Sequence, residues 1–185
     1  MTHRSQTPVS AALVGVVALT LFVAACGDEK TPQPLSDAVL NNLAYPLDLG
    51  IGLQNPRSIQ LKDGQFSETN PGGFGTTTVR LLDQRARGQI DEDKSEDAAV
   101  IFAYNGGGSG TFLNLVAVLN KSAGPSVAAS TLLGDRVVIH SVEIVDRRVV
   151  LKMRVHGPQD PLCCPTVETT VRFALKANTI EEVPD

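Results

Sequence analysis

Three aspartates, Asp91, Asp93 and Asp97, stand within the acidic stretch 89–97 (Gln-Ile-Asp-Glu-Asp-Lys-Ser-Glu-Asp). Carboxylates at alternate positions, with another four residues on, can wrap one hard cation in oxygen, so this stretch is the candidate metal site and calcium the ion it would suit. A solvated acidic turn ahead of a strand has the same composition, and spacing alone does not separate the two. The second candidate is the adjacent pair Cys163-Cys164. In an exported protein, neighbouring cysteines can close a vicinal disulfide, a small ring that stiffens a turn. Gly157, Pro158, Pro161 and Pro165 punctuate that segment as a turn would. Two free thiols are the alternative. A metal site or a redox pair matches less well, because both usually space their cysteines by two residues.

Other groups point to structure before chemistry. The loop Asn105-Gly106-Gly107-Gly108-Ser109-Gly110 is rich in glycine but has no lysine and runs into a strand, so it reads as a hairpin loop and not as a phosphate cradle. His140 and His156 fall on strands, with no serine or cysteine in a nucleophile-elbow context. No triad and no paired-carboxylate set can be assembled from spacing, and no residue is assigned as catalytic. Asp135-Arg136 follows Gly134 at a strand start, where a carboxylate and a guanidinium can pair and tie loop backbone.

The elements that must position these residues are nearly all strands. A short helix is expected over 36–44, with Ser36 as N-cap, Asp37 in the first turn, and Val39, Leu40 and Leu43 on one apolar face up to Pro46. After it the period changes to two. Segments 57–61 and 65–68 flank Lys62-Asp63-Gly64, a hairpin signal. Segment 76–82 is β-rich. Segments 98–104 and 111–119 are apolar on both faces and read as central, covered strands. Segments 137–145 and 149–155 form a hairpin about Asp146-Arg147, and 167–175 alternates as a half-buried strand. Serial hairpins without crossover helices mean an antiparallel sheet. The expected fold is therefore mainly β of α+β type: one domain, a strongly curled antiparallel sheet, and one short N-terminal helix. The helix would cover part of the central strands and curling of the sheet the rest.

The first 25 residues have the pattern of an export signal. Arg4 gives a positive start, no acid occurs before Asp28, and an apolar run follows from Val9 to Ala25. It ends in Val23-Ala24-Ala25-Cys26, which resembles a bacterial lipobox: an aliphatic residue, two small residues, then the cysteine that is lipidated and becomes the first mature residue. A plain membrane anchor is the alternative, but the run is at the short limit for a spanning helix. Residues 1–25 are thus expected to be a lipoprotein signal peptide and 26–35 a lipidated cysteine and tether. Residues 36–185 would be an extracytoplasmic domain held on the envelope by two acyl chains. Losing residues 1–25 removes Arg4 alone, leaving 15 cations against 20 acids, a net charge of −5. The lack of a basic stripe and of tryptophan argues against nucleic acid as a partner.

From about Asp37 onward the chain resembles a family of bacterial extracytoplasmic proteins, many of them lipoproteins. Several phrases carry the resemblance: Ile59-Gln60-Leu61-Lys62-Asp63-Gly64-Gln65-Phe66, the acidic loop before Asp97-Ala98-Ala99-Val100, and Gly107-Gly108-Ser109-Gly110-Thr111-Phe112. Leu133-Gly134-Asp135-Arg136-Val137 and Gly157-Pro158-Gln159-Asp160-Pro161-Leu162-Cys163-Cys164-Pro165-Thr166 complete the set. The acidic loop also resembles the Asp-x-Asp-x-Asp-Gly-x-x-Asp calcium loops of integrin-type propellers. Here Gln89 replaces the first aspartate and Lys94 the glycine, one losing a charge and the other adding a repelling cation. No cofactor is expected beyond this compromised calcium loop. The resemblance implies location and fold but no activity. The leading expectation is a non-catalytic envelope module, bound to the bilayer through Cys26, that engages an envelope protein or ligand. The alternatives are a metal-dependent hydrolase using Asp91, Asp93 and Asp97, and an accessory or sensor subunit of an envelope complex.

Overall fold

The computed structural model describes residues 1–2, 33–46, 58–72 and 75–184. Residues 3–32, which hold most of the expected signal peptide, Cys26 and most of the expected tether, lie outside the described residues. Among the described residues, no helix is long and apolar enough to cross a membrane.

Helix α1 spans Asp37–Asn41. Ser36 caps it, its hydroxyl accepting from the Val39 amide at 3.3 Å, and Leu40 is its fully buried contact. It is shorter than the apolar spacing suggests. After Asn42 the chain turns extended, and β1 (Ala44–Pro46) pairs antiparallel with β2 (Ser58–Gln60). Pro46 is thus tolerated in a two-stranded edge pair, where it need not donate to a ladder. The Lys62-Asp63-Gly64 turn forms with positive φ at both Asp63 and Gly64, as a tight hairpin turn requires. Its arms nevertheless part: β2 joins β1, while β3 (Gln65–Thr69) joins β4 (Thr76–Gly88).

Seven further pairings among the described residues are all antiparallel. One sheet has the order β3-β4-β5-β6-β7, with β5 Asp97–Asn105, β6 Phe112–Lys121 and β7 Gly124–Asp135. The other has the order β11-β10-β9-β8, with β8 Val138–Val145, β9 Arg148–Val155, β10 Val167–Lys176 and β11 Thr179–Val183. The central strands β5 and β6 are covered on both faces. Ala98, Val100, Phe102, Val116 and Val118 pack beneath α1 and the β1–β2 pair, where the Tyr45 and Phe102 rings meet edge to face at 4.6 Å. Ala99, Ile101, Leu115 and Ala117 pack against Ile139, Leu151, Met153 and Phe173 of the second sheet. The second cover is therefore a separate sheet. The alternation in β9 and β10 puts Val149, Leu151, Met153 and Phe173 inward, as their period-two pattern requires.

This arrangement has two ends. β5 runs about 30 Å, at about 3.3 Å per residue, from the acidic loop at one end to the glycine-rich loop at the other. The β8–β9 turn shares the acidic end, where Arg147 pairs with Glu92 at 2.6 Å. The 156–166 connection lies at the opposite end, beside the glycine-rich loop.

Candidate functional site

At the acidic end the three aspartates do converge: one oxygen of each of Asp91, Asp93 and Asp97 lies within 4.8 Å of the others. Their environments differ. Asp97 is fully buried at the start of β5, and its two oxygens accept from the backbone amides of Ile90 (2.9 Å), Asp91 (3.3 Å) and Asn120 (3.0 Å). It stitches the loop to the end of β6. Asp91 and Asp93 each turn one oxygen inward, to the amides of Asp93 (3.0 Å) and Ser95 (2.8 Å). Lys94, at the glycine position, sits in the left-handed region at φ 66°.

The outer oxygens of Asp91 and Asp93 already have a cation. The Lys121 ammonium, from the end of β6, contacts the Asp91 carboxylate and lies 2.7 Å from that of Asp93. It holds the Asp93 carboxyl at about 2, with help from the Ser95 amide, and the two carboxylates push the Lys121 ammonium up. The donor set present does not fit a resident calcium ion, because an ammonium stands on two of its three carboxylates and backbone amides use the third. Lys121 was not legible as a site residue from motif spacing. The signal lies in the β5–β6 register: pairing Ala98 with Val118 brings the residues just beyond β5's start against the end of β6. A cleft of about 510 Å³ opens beside the loop between the sheets, lined by Ile90, Leu119 and Leu175 among others.

The opposite end gathers three of the sequence phrases into one tied group. Asn105 fills the glycine-rich loop: its side chain accepts from the Gly107 amide (2.7 Å) and donates to the carbonyls of Gly108 (3.1 Å) and Gly110 (2.7 Å). These groups face inward to a protein side chain, unlike those of an anion cradle. Gly107 has φ 92°, and a Cβ there would sit 2.9 Å from Asn70 Nδ2 and 3.0 Å from the Thr76 amide, so the position requires glycine.

Arg136 joins this loop to the cysteine loop. It contacts the Ser109 carbonyl, donates to the Leu162 carbonyl at 3.1 Å, and pairs with Asp135 at 2.8 Å. Asp135 in turn accepts from the Thr111 amide at 2.7 Å. Asp160 braces the cysteine loop from within, accepting from the amides of Gly157 and Thr166, both at 2.7 Å. These bonds, the Gly157 amide foremost, hold its carboxyl below the usual range. The Sγ atoms of Cys163 and Cys164 are joined. Leu162, beside them, is 77% exposed, on a loop held at both ends.

The histidines occupy structural surroundings. His140 lies on the outer face of the second sheet, 3.0 Å from Glu168, which Arg154 also holds at 2.6 Å. His156 lies at the edge of the cysteine loop near Asp160. No protein-family model, curated protein or solved structure matches this chain.

Proposed function

We propose that the domain is the extracytoplasmic part of a bacterial lipoprotein, held on the envelope by lipid at Cys26. Within that setting it works as a non-catalytic binding module whose partner-facing end carries the cysteine loop. The observation that carries this reading is the position of Gln33, whose carbonyl accepts from Asn120 Nδ2 at 2.8 Å at the acidic end. Gln33 is seven residues after the cysteine of the lipobox-like Val23-Ala24-Ala25-Cys26. Seven residues reach at most about 25 Å, so an anchor at Cys26 would hold the acidic end within that distance of the bilayer. The end bearing Leu162 and the Cys163–Cys164 ring, about the length of β5 further on, is the one free to extend away from it. The ties from Arg136 and Asp160 support a presented, ordered surface, which lowers the ordering cost of binding. The metal-dependent hydrolase has less support, because Lys121 occupies the carboxylates it would need.

Two measurements test this. Cys26→Ala should release the protein from membranes or leave unprocessed precursor, and unchanged fractionation at normal mature mass would defeat the anchor. A photo-crosslinker at position 162 should capture an envelope partner in intact cells while one at position 146 does not. Equal capture at both positions would defeat the assignment of the ends.

A further inference from the structure

We infer that the Cys163–Cys164 ring is a thiol–disulfide exchange site: a reversible two-electron acceptor for an external dithiol, opened and closed while the domain stays folded. The bond joins adjacent residues, and both are exposed. A ring over neighbouring residues removes little freedom from the unfolded chain, so this bond adds little of the stability that disulfides gain by closing long loops. Exposure gives an attacking thiolate access to either sulfur, and access is part of what makes a disulfide labile. Catalysts of exchange usually place two residues between their cysteines, and this pair has none. The pair is therefore the target of exchange and not its agent.

The loop does not need the bond to keep its course. Asp160 accepts from the amides of Gly157 and Thr166, both at 2.7 Å, and so closes the two ends of the loop on each other. The Thr166 hydroxyl donates to the same carboxylate at 2.8 Å. Pro165, next to Cys164, is buried. On the other side Arg136 donates to the Leu162 carbonyl at 3.1 Å, and the Cys164 amide donates to the Pro161 carbonyl at 3.0 Å. Each of these ties is made by a carboxylate, a guanidinium or the backbone, and none by a sulfur. Opening the ring leaves them in place, with two thiols side by side on one turn where they can close again.

The exchange has two steps. A thiolate of the external dithiol attacks one sulfur of the ring; a mixed disulfide forms, the Cys163–Cys164 bond breaks, and the other sulfur leaves as a thiolate that takes up a proton. The second thiol of the dithiol then attacks the mixed disulfide and releases the remaining cysteine. The dithiol ends as a disulfide, and the protein gains two electrons and two protons. A disulfide of the same class, in excess, runs the steps backwards and closes the ring.

The test uses the full-length protein in detergent, without denaturant. Millimolar dithiothreitol should reduce it, and alkyl groups added afterwards should map to both Cys163 and Cys164. The rate should lie within about tenfold of that for the same protein unfolded in urea, since the sulfurs are reached without unfolding. The reduced protein should melt no more than about 5 °C below the oxidised one. Amide exchange should rise at residues 162–164 and stay unchanged at Gly157 and Thr166, which Asp160 holds. Excess oxidised glutathione should then restore the original mass and melting temperature. Reduction only after unfolding, a fall in melting temperature above about 5 °C, or faster exchange at Gly157 and Thr166 would each overturn the inference, because the bond would then be structural. A ring that does not close again would overturn it as well.

Discussion

Asp97→Ala should be among the most damaging substitutions of a charged residue in the domain, and the reason is backbone and not metal. The carboxylate accepts three amides, two of them fully buried, from Ile90 at 2.9 Å and Asn120 at 3.0 Å. Removing the acceptor leaves each buried N–H unsatisfied, at about 1–3 kcal/mol apiece. The Asp91 amide is partly exposed, its bond is longer at 3.3 Å, and it can turn to water. The expected loss is about 3–5 kcal/mol, a large share of the roughly 5–15 kcal/mol that keeps a domain folded. Asp97→Asn keeps one oxygen, which can serve Ile90 and Asp91, but turns an NH2 toward the Asn120 amide. It should cost less, about 1.5–3 kcal/mol.

The chain has no tryptophan, so urea unfolding is best followed by circular dichroism of the strands. With a slope of about 2 kcal/mol per molar urea, Asp97→Ala should move the midpoint down by about 2 M at unchanged slope. Asp83→Ala is the control. That side chain is fully exposed and should shift stability by no more than about 0.5 kcal/mol. A loss below about 1 kcal/mol in Asp97→Ala, or a loss in Asp91→Ala equal to it, would refute the reasoning.

Three other outcomes follow from the same bonds. Arg136→Ala frees the Ser109 and Leu162 carbonyls and Asp135 together; a loss of about 1–3 kcal/mol and faster proteolysis within residues 158–166 are expected, and an unchanged digestion pattern would count against the clamp. The Asp93 carboxyl lies at about 2 against an ordinary 3.8, so its contribution to stability is full above about pH 4 and is lost as pH falls through about 2. Asp93→Asn should flatten that part of the acid-unfolding curve, and an identical curve would show that Lys121 does not stabilise the carboxylate. Cys163 and Cys164 should take alkyl groups only after reduction, as intact mass reports; two alkyl groups on the unreduced native protein would rule out the bond.

Strands with strong side-chain period were legible from sequence, and weakly patterned ones were not. β5, β6, the β8–β9 hairpin and β10 carry continuous or alternating apolar residues, and their positions follow from that. β7 does not: Ser126, Ala128, Ala129, Ser130 and Thr131 are small, and the strand is half-buried at a sheet edge, so no alternation marks it. β4 extends past residue 82 through Arg85 and Arg87, which look like loop residues. Tertiary pairing keeps them extended, since both reach back to Asp37 at the start of α1. The Asp63-Gly64 turn was legible because its backbone is local, but where its arms went was decided by which sheet offered an edge. The carboxylate cluster was visible as spacing. Its cation was not, because Lys121 is 24 residues from Asp97 and only strand register brings it near.

How the polar groups are used bears on the choice between binding and catalysis. A general acid near neutral pH needs a carboxyl whose proton is held, which takes burial without compensating donors. Among the described residues, the carboxyls with a resolved shift move the other way. Asp37, Asp93, Asp160, Glu168 and Glu181 are all held below their usual range, four of them chiefly by lysine or arginine and Asp160 chiefly by the Gly157 amide. Each such acid remains an ionised acceptor engaged in holding one piece of chain to another. Asp97 binds three amides, Asp160 closes the cysteine loop, and Asn105 fills the glycine-rich loop in the same manner. Polar groups spent this way tie loops to the strands beside them. If the end bearing Leu162 is the partner-facing surface proposed above, such ties would serve it, since side chains already fixed lose little freedom when a partner arrives.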